Sequence, residues 1–229
     1  MFATLKGWSK DALLWTQKYT RTDMLYLARG GSWLAFGDSI SSIIAFLSAI
    51  AFANFLPQDI YGSYKYILSI AGILSIATLT GVGAAVTRAI AQGFEGSMFP
   101  AIRTKIRWGL LGSLGALVVA TYYFMHGNAT LGTAFLIVAA FVPLVDSFSL
   151  YGAYLEGKKE FPRSARYQIY GRVISAGTLI ATVYLTNNLF LVLLGYFTPQ
   201  ALTSYVFYRF VRREIAPNSI ASCSAMSGM

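Results

Sequence analysis

The chain contains six long stretches in which most residues are apolar, and this feature restricts its fold more than any other. A helix needs about 20 such residues to cross the hydrocarbon core of a bilayer. Only 12% of the 229 residues are charged, whereas a soluble domain carries roughly 25%. We therefore predict an all-α membrane protein with six transmembrane helices, at Trp33–Leu56, Tyr64–Thr87, Trp108–Met125, Leu131–Leu155, Tyr170–Asn187 and Leu189–Tyr208.

The basic residues are distributed unevenly between the connections of these spans. Of the 18 lysines and arginines, 17 lie on one predicted side, and Lys65 is the exception. Connections rich in lysine and arginine stay in the cytoplasm. The pattern predicts a multi-pass protein of the cell (plasma or inner) membrane with both termini in the cytoplasm. It also explains the net charge of +9 without a nucleic-acid partner, and membrane lipids are the expected contacts.

The two ends of the chain differ in character from the spans. One helical face of residues 1–30 is apolar and consists of Leu5, Trp8, Ala12, Trp15 and Tyr19. This favours an amphipathic helix in the cytoplasmic interface, with a partly ordered tail as the alternative. Residues 214–229 are small and polar without periodicity and are predicted to be disordered. The six-span bundle is expected to occupy residues 31–213.

Asp146 lies deep within the fourth predicted span, three residues after Pro143. By helical rise it is about 13 Å from the cytoplasmic end of that span. Proline removes one backbone hydrogen bond and kinks a helix, and a carboxylate at this depth has to face a cavity or a partner. Two interpretations are open: Asp146 couples the protein to protons or sodium, or a neutral Asp146 stabilises the kink by a hydrogen bond.

Three other charged residues lie near the cytoplasmic ends of spans. Asp38 is about 7–8 Å below Trp33 by helical rise, near the positive end of its helix dipole. We predict a shallow carboxylate at the cytoplasmic mouth, a candidate gate element with Arg88 as its partner. Arg88 and Arg172 can extend to water and lipid phosphate, so each is first interpreted as an anchor of its helix end.

The sequence contains no pattern typical of an enzyme. The single histidine, His126, lies in a short turn, and the single cysteine, Cys223, lies in the polar C-terminal segment. Phosphate loops, nucleophile elbows and metal-ligand spacings are absent from the sequence. We therefore expect no catalytic residues, no metal and no cofactor.

The segment Leu56–Gly93 carries a resemblance to a known family and reads LPQDIYGSYKYILSIAGILSIATLTGVGAAVTRAIAQG. It resembles the polysaccharide-biosynthesis flippases of the MOP (multidrug/oligosaccharidyl-lipid/polysaccharide) exporter superfamily. The matching elements are Leu56-Pro57, Tyr61-Gly62, Gly81, Gly83 and Arg88. The loop YGAYLEGKKEFPRSARY is similar to the basic, aromatic cytoplasmic loop of that family, and the resemblance extends from about Trp33 to Arg213.

This resemblance implies a membrane transporter that flips or exports lipid-linked oligosaccharide or polysaccharide precursors by alternating access. It also implies a cationic cavity for the pyrophosphate of the lipid-linked sugar, for which Arg88 and Arg172 are the best-placed basic residues.

Family members have two six-helix lobes, whereas this sequence predicts one. We therefore expect either a fragment of a longer protein or a chain that pairs with a second lobe or a second copy. The alternatives are the six-span permease of an ATP-driven polysaccharide exporter and a non-transporting membrane scaffold subunit.

Overall fold

The computed structural model of the protein describes residues 24–76, 79, 81–186 and 188–226, and only the helical backbone at 24–29 and 216–226. The amphipathic helix predicted near the N-terminus lies largely outside these residues. Every regular element in the described part is helical. The α-helices are α1 (Met24–Phe55), α2 (Gln58–Ser75), α3 (Val82–Ala91), α4 (Met98–Met125), α5 (Ala129–Phe148), α6 (Tyr151–Gly157), α7 (Phe161–Leu185) and α8 (Leu189–Met226).

Within the described residues, four helical segments are long and apolar enough to cross a membrane. They are Gly30–Phe55, Glu95–Met125, Ala129–Gly157 and Leu189–Ile215. These segments confirm the predicted class of an all-α polytopic membrane protein and coincide with the first, third, fourth and sixth predicted spans. The total of six spans stays a prediction.

The second predicted span is two helices rather than one. α2 ends at Ser75 and α3 begins at Val82, and Leu79 between them has a φ of 59°. Gly81, directly before α3, is a poor helix former, whereas the sequence stays apolar from α2 into α3. The fifth predicted span lies mostly in α7, which ends at Leu185 and is less apolar because its first half carries three arginines.

Two clusters of buried side chains form the core. The larger cluster joins α2, α5 and α8 and includes Ile67, Phe135, Val138, Val192 and Leu193. The smaller cluster joins α4, α6 and α8 and includes Met98, Tyr154, Leu155, Val211 and Ile215. The core thus runs along one side of α8 over most of its length.

α8 continues past Arg213, where the sequence predicts that a disordered tail begins. Ile215 is fully buried, and the guanidinium of Arg163 on α7 donates to both carboxylate oxygens of Glu214 at 2.5 and 2.9 Å. These hydrogen bonds raise the pKa of Arg163 above its ordinary value. The first two residues of the predicted tail are therefore packed, and the backbone stays helical to Met226. The division of the chain into three segments otherwise stays a prediction.

Large apolar side chains are exposed over much of the outer surface of the bundle. Phe46 on α1 is 66% exposed and Val118 on α4 is 70% exposed. Contiguous apolar surface of this kind marks contact with a membrane or a partner. Apolar side chains that face lipid instead of water carry no hydrophobic cost in free energy. The outer surface is therefore consistent with a bundle surrounded by lipid.

α3 and α6 approach each other closely at a glycine. The Thr87 hydroxyl donates to the Ala153 carbonyl at 3.1 Å. A Cβ added at Gly157 would lie 2.8 Å from both the Thr87 carbonyl oxygen and Ile90 Cβ. Small residues permit such approaches between helices in membranes, so Gly157 fixes the spacing of these two helices.

Replacement of Gly157 by alanine is expected to lower the free energy of unfolding by about 1–3 kcal/mol, because the added methyl group overpacks against backbone. SDS-induced unfolding in mixed micelles measures this change. The matched control is Gly177→Ala, where an added Cβ meets nothing within 4 Å. Equal stability of the two variants would contradict the close approach.

Candidate functional site

A polar cavity of about 300 Å³ lies between α5, α7 and α8. We call it the central cavity. Its polar lining consists of Asp146, Ser149, Tyr151, Gln168, Arg172, Ser175, Tyr196, Gln200, Thr203 and Ser204. Such a density of polar side chains contrasts with the apolar composition of the rest of the bundle. In a membrane bundle, polar groups that face a shared cavity are the first candidates for a functional site.

Two further cavities adjoin the central cavity. One, of about 230 Å³, lies among α1, α2, α7 and α8 and shares Arg172, Ser175 and Tyr196 with it. The other, of about 170 Å³, lies among α2, α5 and α8 and shares Asp146, Tyr196 and Gln200 with it. Tyr196 lines all three, so they form one surface around this side chain.

The backbone carbonyl of Asp146 binds a lysine from the neighbouring helix. Lys105 on α4 is only 8% exposed, and its Nζ donates to the Asp146 carbonyl oxygen at 2.8 Å. The Ser149 hydroxyl donates to the same oxygen at 2.7 Å. α5 ends two residues later, at Phe148. Carbonyl groups at the end of a helix carry partial negative charge and favour a cation, so Lys105 caps the end of α5.

The uneven distribution of charge makes Lys105 one of the basic residues of the cytoplasmic side, but its spacing to the neighbouring arginines indicates a second role. Arg103 and Arg107 are four residues apart and share one helix face, and both are exposed. Lys105, midway between them, must then lie on the opposite side of α4. That side packs against α5.

A second interhelical bond lies at Pro143. Proline leaves the carbonyl four residues before it without its helical donor, and here that carbonyl belongs to Ala139. The hydroxyl of Ser113 on α4 donates to the Ala139 oxygen at 2.6 Å. α5 continues through Pro143 to Phe148, and the predicted kink stays a prediction. Ser113 supplies the hydrogen bond that the proline removes.

The predicted site residues fall into two groups. Asp146 and Arg172 line the same central cavity. Asp38 on α1 and Arg88 on α3 are exposed and lie outside the lining of the three cavities. Among the described residues, no ion pair joins Asp38 to Arg88; Asp38 instead lies close enough to Glu156 for their like charges to interact.

Lys65 was also missed as a site residue. It lines the cavity of about 230 Å³ together with Arg172, and its Nζ lies 5.6 Å from the centre of the Tyr61 ring. Its position in the sequence contained a signal, since it is the single basic residue on the less basic side of the predicted membrane. The topology does not explain a lysine on the side of the membrane that carries few basic residues, so Lys65 is a candidate for a functional role.

The fold and the cavities define the chain as a polytopic helical membrane protein with a polar surface inside the bundle. A family model described as "Polysaccharide biosynthesis protein" matches residues 27–226. The chain therefore belongs to the polysaccharide biosynthesis protein family, which confirms the resemblance found in the sequence. Neither the curated proteins nor the solved structures gave a match.

Replacement of Lys105 by methionine is expected to lower the free energy of unfolding by about 1.5–3 kcal/mol, the usual range for a hydrogen bond from a charged group. SDS-induced unfolding in mixed micelles measures this change in the free energy of unfolding. The control is Arg103→Met on the same helix, which removes an exposed charge and should change stability by less than about 0.5 kcal/mol. Equal effects would show that Lys105 does not cap α5.

The pair Ser113 and Pro143 is tested by a double-mutant cycle. Ser113→Ala should cost about 0.5–1.5 kcal/mol in the wild-type background. It should cost less in a Pro143→Ala background, because the restored N–H of residue 143 then satisfies the Ala139 carbonyl. The coupling is the difference between the two costs in SDS-induced unfolding. If the two substitutions have additive effects on the free energy of unfolding, the N–H of residue 143 does not replace the Ser113 hydroxyl as the donor to the Ala139 carbonyl.

Proposed function

We propose that this chain forms one lobe of a transporter that flips or exports lipid-linked oligosaccharide or polysaccharide precursors across the cell membrane. The family assignment supports a flippase or exporter role. The observation that carries the proposal is the meeting of Arg172 and Asp146 in one polar cavity. A transporter needs such a surface because the sugar head group cannot cross hydrocarbon unaided.

The charges around the cavities favour an anionic substrate. The charged side chains that line the three cavities are Asp146, Arg172 and Lys65, which gives one net positive charge. Arginine binds phosphate through paired N–H groups. We assign Arg172 to the phosphate of the lipid-linked sugar, with Lys65 further along the same surface. The amides of Gln168 and Gln200 are suited to sugar hydroxyls.

Asp146 is assigned to coupling. Its carbonyl is held by Lys105, and it lines the central cavity beside Arg172. A carboxylate that is reached from the cavity can accept a proton or bind sodium. A change in its charge would alter the attraction between the cavity and an anionic substrate. This is the property that ion-coupled transport requires.

A second surface completes the substrate path in this proposal. Ligand sites usually have volumes of roughly 300–1,000 Å³, and the central cavity of about 300 Å³ is at the lower end. A second lobe or a second copy of the chain would enclose the head group, and the lipid tail would stay in the bilayer. Rocking of the two halves would then expose the surface alternately to each side, with both termini of this chain in the cytoplasm.

The test measures surface polysaccharide in cells that depend on this chain, with each variant expressed to the same level. Arg172→Gln should lower export at least about tenfold, as the loss of a charged contact to phosphate predicts. Asp146→Asn should lower export and weaken its dependence on the proton or sodium gradient. Arg103→Gln, an exposed arginine outside the cavities, is the matched control and should export normally. Normal export by both cavity variants would refute the site assignment.

A further inference from the structure

Three arginines and two tyrosines form a separate pocket near the middle of α8. Tyr205, Tyr208, Arg209, Arg212 and Arg213 line a cavity of about 420 Å³, which we call the arginine pocket. None of these residues lines the three cavities described above. The arginine pocket is therefore distinct from the proposed substrate site, and its function can be tested independently.

The charge of the arginine pocket is not neutralised from within the described part of the chain. There, Arg209, Arg212 and Arg213 form no ion pair. The adjacent acid, Glu214, is engaged by Arg163 through two hydrogen bonds. The pocket thus presents three positive charges to an external anion.

The two tyrosines are held in place by an aromatic contact with α5. The ring centres of Tyr205 and Tyr208 each lie 5.3 Å from that of Phe148. Rings that are already packed lose little entropy when a ligand binds against them. Guanidinium groups beside tyrosine hydroxyls form a donor set that suits phosphate oxygens.

The depth of the arginine pocket matches a membrane surface. α8 begins at Leu189, where the Asn188 side chain accepts from the Phe190 N–H at 2.9 Å. At about 1.5 Å per residue, Arg209 lies roughly 30 Å and Arg213 roughly 36 Å along the helix from Leu189. The hydrocarbon core is about 30 Å thick. If polar Asn188 is at one interface, the arginines reach the head groups at the other.

An exposed apolar stripe leads from the arginine pocket toward the centre of the membrane. Leu202, Val206 and Phe210 are exposed and follow one another at intervals of four residues, which puts them on one face of α8. Arg209 and Arg213 each follow a stripe residue by three positions and so lie next to it. Cations above an apolar strip form a surface that complements a lipid head group with its acyl chain.

We propose that the arginine pocket binds the phosphate group of an anionic phospholipid, with an acyl chain of that lipid along Leu202, Val206 and Phe210. A soluble phosphate ester offers the same head-group chemistry but has no chain for the stripe. The stripe therefore favours the membrane lipid as the source of the phosphate.

The test uses the full chain, purified into mixed micelles that contain equal amounts of phosphatidylglycerol and phosphatidylcholine. Mass spectrometry of the retained lipids gives the ratio of the two. The wild-type chain should be enriched in phosphatidylglycerol, and Arg209→Gln/Arg212→Gln/Arg213→Gln should reduce that ratio roughly tenfold, because the paired N–H contacts of the guanidinium groups to phosphate are lost. The matched control is Arg103→Gln/Arg107→Gln/Arg166→Gln, which removes the same number of positive charges from the same predicted side of the membrane, at exposed positions outside the pocket. It should change the ratio less than about twofold, because exposed charges are screened by salt.

Two results would overturn the proposal. Equal losses in the pocket variant and the control variant would show that the basic side of the protein attracts lipid without a site. Displacement of phosphatidylglycerol by an equal concentration of glycerol 3-phosphate would identify a site for free phosphate esters. If the glutamine variant loses helicity by circular dichroism, Arg209→Lys/Arg212→Lys/Arg213→Lys replaces it. This variant keeps the charge but not the paired N–H geometry, and a ratio equal to wild type would likewise contradict the proposal.

Discussion

Hydrocarbon offers no partner to a backbone carbonyl, and the arrangement of α4 against α5 follows from this constraint. Two carbonyls along the fourth predicted span need an outside donor, one because of Pro143 and one because the helix ends at Phe148. Ser113 and Lys105 on α4 supply both donors. They lie eight residues apart, close to two turns of helix, and so share one face. Buried small residues between them let the two helices approach.

This constraint also determines which face of α5 is available for function. α5 is joined to α4 through its backbone, and at the same level Asp146 also lines the central cavity with residues of α7 and α8. The end of α5 at Phe148 and the polar lining of the central cavity, which includes Asp146 and Ser149, therefore lie at the same place. A chain that formed an unbroken apolar helix here would need neither Lys105 nor Ser113.

The sequence predicted the class of the fold because it depends on composition and length alone, and four spans agree with the structure. The break between α2 and α3 was missed because hydropathy does not detect a helix end, and apolar residues continue from α2 into α3. Depth along a span singled out Asp146 and the family resemblance singled out Arg172, but their common cavity depends on how α5, α7 and α8 pack. Lys105 and Lys65 were passed over because each was counted as a charge rather than assigned to a helix face.

The hairpin formed by α7 and α8 is joined at both of its ends. At one end only three residues separate the helices, and at the other Arg163 binds Glu214. The short loop and the ion pair both restrain α7 from moving away from α8. Arg172 lies on α7 and Gln200 lies on α8, so this restraint acts on two residues that line the central cavity. The opposite wall of the cavity, with Asp146 and Tyr151, belongs to α5 and α6 and is not part of the hairpin.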